Sequence, residues 1–74
     1  MEIEVRLFAG LREGRFKEQD LEVPEASRLG DVLSRLDIPE EEVSLPLVNG
    51  RYSQMDRTLQ AGDVLSLFPA VGGG

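Results

Sequence analysis

Apolar and polar residues alternate from the start of the chain. Ile3, Val5 and Leu7 fall between Glu2, Glu4 and Arg6, the period-two pattern of a strand with one buried face. Gly10 and Gly14 bracket Leu11-Arg12-Glu13 as a turn or short loop, and a weaker run over residues 17 to 23 closes at Pro24, so this region reads as a hairpin. The period then changes. Leu29, Val32, Leu33 and Leu36 stand at i, i+3, i+4 and i+7, which predicts a helix over residues 28 to 36 with one apolar stripe and Ser27 as N-cap. Gly30 should weaken its first turn by about 0.5 to 1 kcal/mol relative to alanine. Pro39 forbids continuation, and the acidic run Glu40-Glu41-Glu42 reads as a solvated connection.

Leu45, Leu47 and Val48 lead into Asn49-Gly50, a dipeptide suited to a tight hairpin turn because both residues tolerate positive φ. Arg51 to Ser53 should return as a short strand. Residues 59 to 63 read as a turn into Val64-Leu65-Ser66-Leu67-Phe68, a mostly apolar run that suits a central strand covered by the helix. One short helix can hide only one face of a sheet, so the expected class is α+β: a mixed sheet of about four to five strands with a single packed helix. The last strand belongs in the centre beside the first, in parallel, because the intervening chain supplies the long connection that parallel neighbours need. Pro69 lacks a ladder donor and ends that strand. The domain is expected over residues 1 to 69, with residues 70 to 74 as a projecting glycine tail.

Composition narrows the function. A chain of 74 residues buries only about 60% of the surface its unfolded form exposes, which leaves little room for an enclosed substrate. With no cysteine and no histidine, disulfides, thiolate metal sites and the usual zinc ligand sets are ruled out. The commonest general base and the strongest side-chain nucleophile are missing too, leaving serines, Tyr52, carboxylates and the single lysine, Lys17. The chain is therefore expected to be a non-catalytic carrier with no resident metal or stably bound cofactor. A net charge of −6 and scattered arginines argue against nucleic acid and favour encounter with a basic protein surface. The N-terminus has no basic region followed by a long apolar run, so no membrane segment is expected and the chain reads as cytoplasmic.

Candidate chemistry concentrates at the other end, where Ala70-Val71-Gly72-Gly73-Gly74 follows the last strand. At an average glycine frequency of about 7%, three in a row at a given place arise by chance roughly three times in ten thousand chains. A frayed or linker-derived end is the competing reading. Four residues from Val71 onward reach roughly 13 to 14 Å when extended, enough to thread a narrow channel in another protein. The α-carboxyl, with an ordinary pKa of about 3.3 to 3.7, is an anion at neutral pH and a poor electrophile. Coupled to AMP it becomes a mixed anhydride, and Gly74, lacking a Cβ, leaves its carbonyl open to sulfide, a thiolate or an amine.

Three segments carry a resemblance: Leu7-Phe8-Ala9-Gly10-Leu11-Arg12-Glu13, Val48-Asn49-Gly50, and Gly62-Asp63 running through Phe68-Pro69-Ala70-Val71-Gly72-Gly73-Gly74. On them the chain resembles the MoaD/ThiS family of β-grasp, ubiquitin-like sulfur carriers, and within it the MoaD type, the small subunit of molybdopterin synthase. The Phe-Pro-x-Val-x-Gly-Gly ending is the most specific element.

The resemblance implies a cycle. An E1-like adenylyltransferase of the MoaB/MoeB/ThiF type uses ATP to adenylate Gly74, sulfur replaces AMP, and the thiocarboxylate enters a large MoaE-type subunit that passes sulfur to a pterin precursor in molybdenum cofactor synthesis. Gly72 and Gly73 would line up in the partner's channel, and Gly72 stands where the family has a variable residue. Phe68, Val71, Tyr52 and Arg12 fall at partner-contact positions. Each also has a plain reading: Phe68 as core, Tyr52 as a cross-strand hairpin residue, Arg12 as a solvated loop charge. Two other functions stay open, a carrier for thiamin, cysteine or tRNA thiolation that also modifies proteins, and a passive ubiquitin-like interaction module.

Overall fold

The computed structural model describes residues 1–70. It contains β1 (Glu2–Leu7), a 3-10 helix (Ala9–Arg12), β2 (Glu18–Glu22), α1 (Leu29–Arg35), a second 3-10 helix (Glu40–Glu42), β3 (Val43–Val48), β4 (Arg51–Tyr52) and β5 (Val64–Pro69). The strands form one five-stranded sheet in the order β2-β1-β5-β3-β4. β1 and β5 pair in parallel at its centre, with Val5 beside Leu65 and Leu7 beside Leu67; the other pairings are antiparallel. The fold is the expected β-grasp, α+β with a single α-helix across one face of a mixed sheet.

Alternation decides which side chains meet that helix. Ile3, Val5 and Leu7 of β1, Leu65 and Leu67 of β5 and Val48 of β3 point inward onto Leu29, Val32 and Leu33 of α1, and all nine are buried almost completely. β5 has a strand on each side, so its backbone is paired along both edges. β2, the second arm of the expected hairpin, has only a weak sequence signal. Four of its five residues are exposed and Leu21 is half-buried. It is a strand because β1 offers it a ladder, Ile3 lying opposite Leu21.

The helix keeps the expected extent to within a residue at each end but departs from expectation in its N-cap. Ser27 is not the N-cap: its hydroxyl donates to the Pro24 carbonyl (2.7 Å) while its own carbonyl accepts from Leu59 N–H (2.8 Å). Arg28 takes the capping position, and the Asp31 carboxylate accepts from the Arg28 backbone N–H at 2.9 Å. At the other end the helix closes at Leu36, as expected, ahead of Pro39. Asp37 adopts φ 60°, Asp37 N–H donates to Ser34 O and Ile38 N–H donates to Leu33 O, so a left-handed turn satisfies the last carbonyls. Gly30 also has a packing reason absent from the sequence reading. Its N–H donates to Met55 O at 2.9 Å, and a Cβ there would stand 3.3 Å from that oxygen.

Asn49 and Gly50, with φ 53° and 82°, make the predicted tight turn between β3 and β4. Asn49 does more than turn the chain. Its side-chain Oδ1 accepts from Val64 N–H (2.9 Å) and its Nδ2 donates to Asp63 Oδ1 (3.0 Å), while Asp63 Oδ2 accepts from Gln60 N–H (2.8 Å). Gly62 supplies the positive φ of 87° that lets its N–H reach Glu2 O. The Asn-Gly and Gly-Asp motifs thus strap the β3–β4 turn to the start of β5. Residues 40 to 42 are exposed, as a solvated connection should be.

Candidate functional site

β5 ends on Pro69, whose register partner is Val43, and the last described residue, Ala70, donates its N–H to Glu42 O at 3.1 Å. The root of the tail is therefore held from the β3 side, beyond the last β1 partner of β5, Leu7 opposite Leu67. Val71, Gly72, Gly73 and Gly74 lie outside the described residues.

Phe68, the penultimate residue of β5, points away from α1. The reading of Phe68 as helix-facing core is overturned: its ring stacks on Phe8, with centroids 4.1 Å apart and planes 11° from parallel. Phe8 follows β1 directly and Phe8 N–H donates to Leu67 O, which sets the two rings side by side. Arg12 closes the 3-10 helix that comes next. Its guanidinium carbon sits 5.3 Å from the Phe8 ring centroid and its Nε donates to Leu7 O at 2.6 Å, so it is a positioned cation rather than a loose loop charge. Arg15 fixes the same segment from below, donating to the carbonyls of Leu11 and, at the end of α1, Leu36 and Asp37.

Beside the stack runs an open groove of about 680 Å³ walled by Ala9, Gly10, Leu45, Phe68 and Pro69 and reaching Ala70. Its lining is largely apolar, with no acid–base pair and no nucleophile beside a base. Leu45 is 41% exposed and Tyr52 63% exposed, large apolar surfaces that the body leaves uncovered. Tyr52 shares the outer face but stands on the edge strand, opposite Leu47, so the structure joins Arg12, Phe8 and Phe68 into one cluster and sets Tyr52 apart from it.

Phe8 and Leu45 are site residues the sequence reading did not single out. The signal for both was available: Phe8 extends the β1 alternation onto the charged face, and adjacent Leu47 and Val48 show that β3 carries apolar residues on both faces. Among the described residues no group of three or more carboxylates is arranged to hold a metal, and no helix is long and apolar enough to cross a membrane.

Solved structures share this β-grasp body. A putative molybdopterin converting factor subunit 1 from Pyrococcus furiosus superposes with TM-score 0.78 at 31% identity, covering 96% of this chain and 99% of that one. SAMP1 from Haloferax volcanii superposes with TM-score 0.79 at 27% identity over 100% of both chains. Subunit 1 or 2 in a complex of the molybdopterin-converting factor from Helicobacter pylori 26695 matches with TM-score 0.65 at 26% identity over 100% of both chains. A search of curated proteins finds no match. Residues 5–74 match the ThiS family, nearly the whole sequence including the glycine end, and the chain belongs to that family of small ubiquitin-like sulfur carriers.

Proposed function

We propose that this chain carries sulfur for molybdopterin synthesis as the small subunit of a molybdopterin synthase. An E1-like adenylyltransferase couples the Gly74 carboxylate to AMP, releasing pyrophosphate from ATP. A sulfur nucleophile then attacks the acyl carbon and AMP leaves, so the terminus holds a thiocarboxylate that a large subunit of MoaE type consumes. The chain supplies the acyl end, and its partners supply ATP, sulfur and acceptor.

One observation carries this reading: a triple-glycine end follows directly on the central strand, at a groove that has apolar walls and no catalytic groups of its own. The aromatic pair Phe8–Phe68 with Arg12 above it forms a docking anchor at the tail's root, with Tyr52 and Leu45 extending the contact and Val71, Gly72 and Gly73 entering the partner. Similarity to a converting-factor subunit 1, and to a chain of a complex between subunits 1 and 2 of such a factor, supports the choice of pathway. Similarity to a small archaeal modifier protein favours a second reading, in which the same activated Gly74 is joined to protein lysines.

Intact-mass analysis of protein from cells making the cofactor should show a fraction with one terminal oxygen replaced by sulfur, located on Gly74. Deleting Gly73 and Gly74 should leave the melting temperature unchanged and abolish sulfur delivery to the large subunit. Full delivery by the truncated chain defeats the proposal, and lysine conjugates without any thiocarboxylate would select the second reading.

A further inference from the structure

The sheet face turned away from α1 is split along the β5–β1 boundary. On the β4-β3-β5 side the register sets Tyr52 beside Leu47 and Leu45 beside Phe68, an uncovered apolar half. On the β1–β2 side Glu2 stands opposite Glu22, Glu4 opposite Asp20 and Arg6 opposite Glu18, five carboxylates around one guanidinium. Arg6 is already engaged. It is hydrogen-bonded to Glu4, which raises its pKa, and lies 3.8 Å from Glu18. Glu22 lies 3.6 Å from the N-terminal amine. Glu2 and Asp20 make no ion pair among the described residues.

Two of these three cross-strand pairs set like charges directly opposite each other, which destabilises a hairpin. Charges on an edge strand can serve to prevent stray sheet pairing. That explains Glu18, Asp20 and Glu22 on β2 but not Glu2 and Glu4, because β1 lies inside the sheet. A second copy of this chain is a poor occupant, since any self-pairing of the face sets carboxylates over carboxylates or over apolar surface.

We propose that the outer sheet face is a two-part docking surface for a protein partner that presents an apolar patch bordered by a row of Lys or Arg, the apolar patch covering Leu45, Leu47 and Phe68 and the basic row lying over Glu2, Glu4 and Asp20. The acidic half acts mainly on encounter, speeding and orienting approach so that the tail arrives at the partner's channel. The inference rests on the preceding reading for the large synthase subunit as partner and for Leu45 and Phe68 as its apolar contact, and adds to it the acidic half.

The test is the kinetics of binding between the full chain and the purified large subunit of the same organism, at low and high salt. The wild-type on-rate should fall steeply as salt rises. A Glu2→Gln/Asp20→Asn double variant should melt at the same temperature or higher, because two like-charge pairs are relieved, yet associate about tenfold more slowly at low salt with little change in off-rate. The two proteins should converge at high salt, where exposed charges are screened. A wild-type on-rate indifferent to salt, or unchanged in the double variant, overturns this inference alone. If the wild-type chain does not bind the large subunit at all, the preceding reading falls and takes this one with it. Concentration-dependent dimerisation through Leu45 and Phe68 in sedimentation would overturn it by assigning the face to a second copy.

Discussion

The two faces of the sheet are built from the same strands and do opposite work. The inner face is continuous aliphatic surface, its side chains fully buried against α1; the outer face carries an aromatic stack, exposed Leu45 and Tyr52, and carboxylates opposite carboxylates. Strand periodicity makes the division possible, since successive residues serve alternate faces and each can be selected independently. The comparison teaches that exposed apolar and like-charged positions here cost stability, and that their value lies in what the sheet meets rather than in how it folds.

Substitutions can break or sharpen this contrast. The largest effect belongs to the inner face: Leu65→Ala should lower unfolding free energy by about 3 kcal/mol in denaturant titrations, with the cavity left beneath α1 adding to the lost burial. Phe68→Ala should divide the two properties. It should cost about 1 kcal/mol of stability, the worth of its stack on Phe8, but about 2 kcal/mol of affinity for the large subunit, roughly thirtyfold in Kd. A loss of stability as large as that of Leu65→Ala with unchanged affinity would place Phe68 among folding residues after all. Gly30→Ala should come next. Helix preference favours alanine by about 1 kcal/mol, yet the new Cβ crowds Met55 O, so the measured stability should rise by far less than that. Tyr52→Ser should be smallest, within about 0.5 kcal/mol of wild type, because the ring is mostly in solvent.

The elements most legible in the sequence are those where local and global demands agree. β1 shows its alternation, β5 its continuous apolar run, and Asn49-Gly50 its turn, and each stands where expected, with β5 central and parallel to β1. What was illegible depends on partners distant in sequence. The second arm of the first hairpin is expected over residues 17 to 23 on a weak signal, and it is the ladder offered by β1 that makes Glu18–Glu22 a strand. Ser27 resembles an N-cap until Pro24 O and Leu59 N–H claim its two oxygens, and the left-handed turn at Asp37 that closes the helix has no signal of its own, although the end itself stands where expected. The candidate site was half legible. Phe68 and Arg12 could be singled out, and Phe8 had a signal in the continued alternation of β1, but the stacking of its ring on Phe68 follows from the exact register of β1 with β5, which no window of residues fixes.

The parallel pairing of Glu2–Leu7 with Val64–Pro69 also bears on how the molecule is made. β1 finds its central neighbour only after every element between β1 and β5, and β5 itself, has been translated, and long-range pairing of this kind is slow to form. The segment that completes the sheet is the one that leads straight into the glycines. A nascent chain therefore has no finished outer sheet face before the segment next to the glycines has been translated.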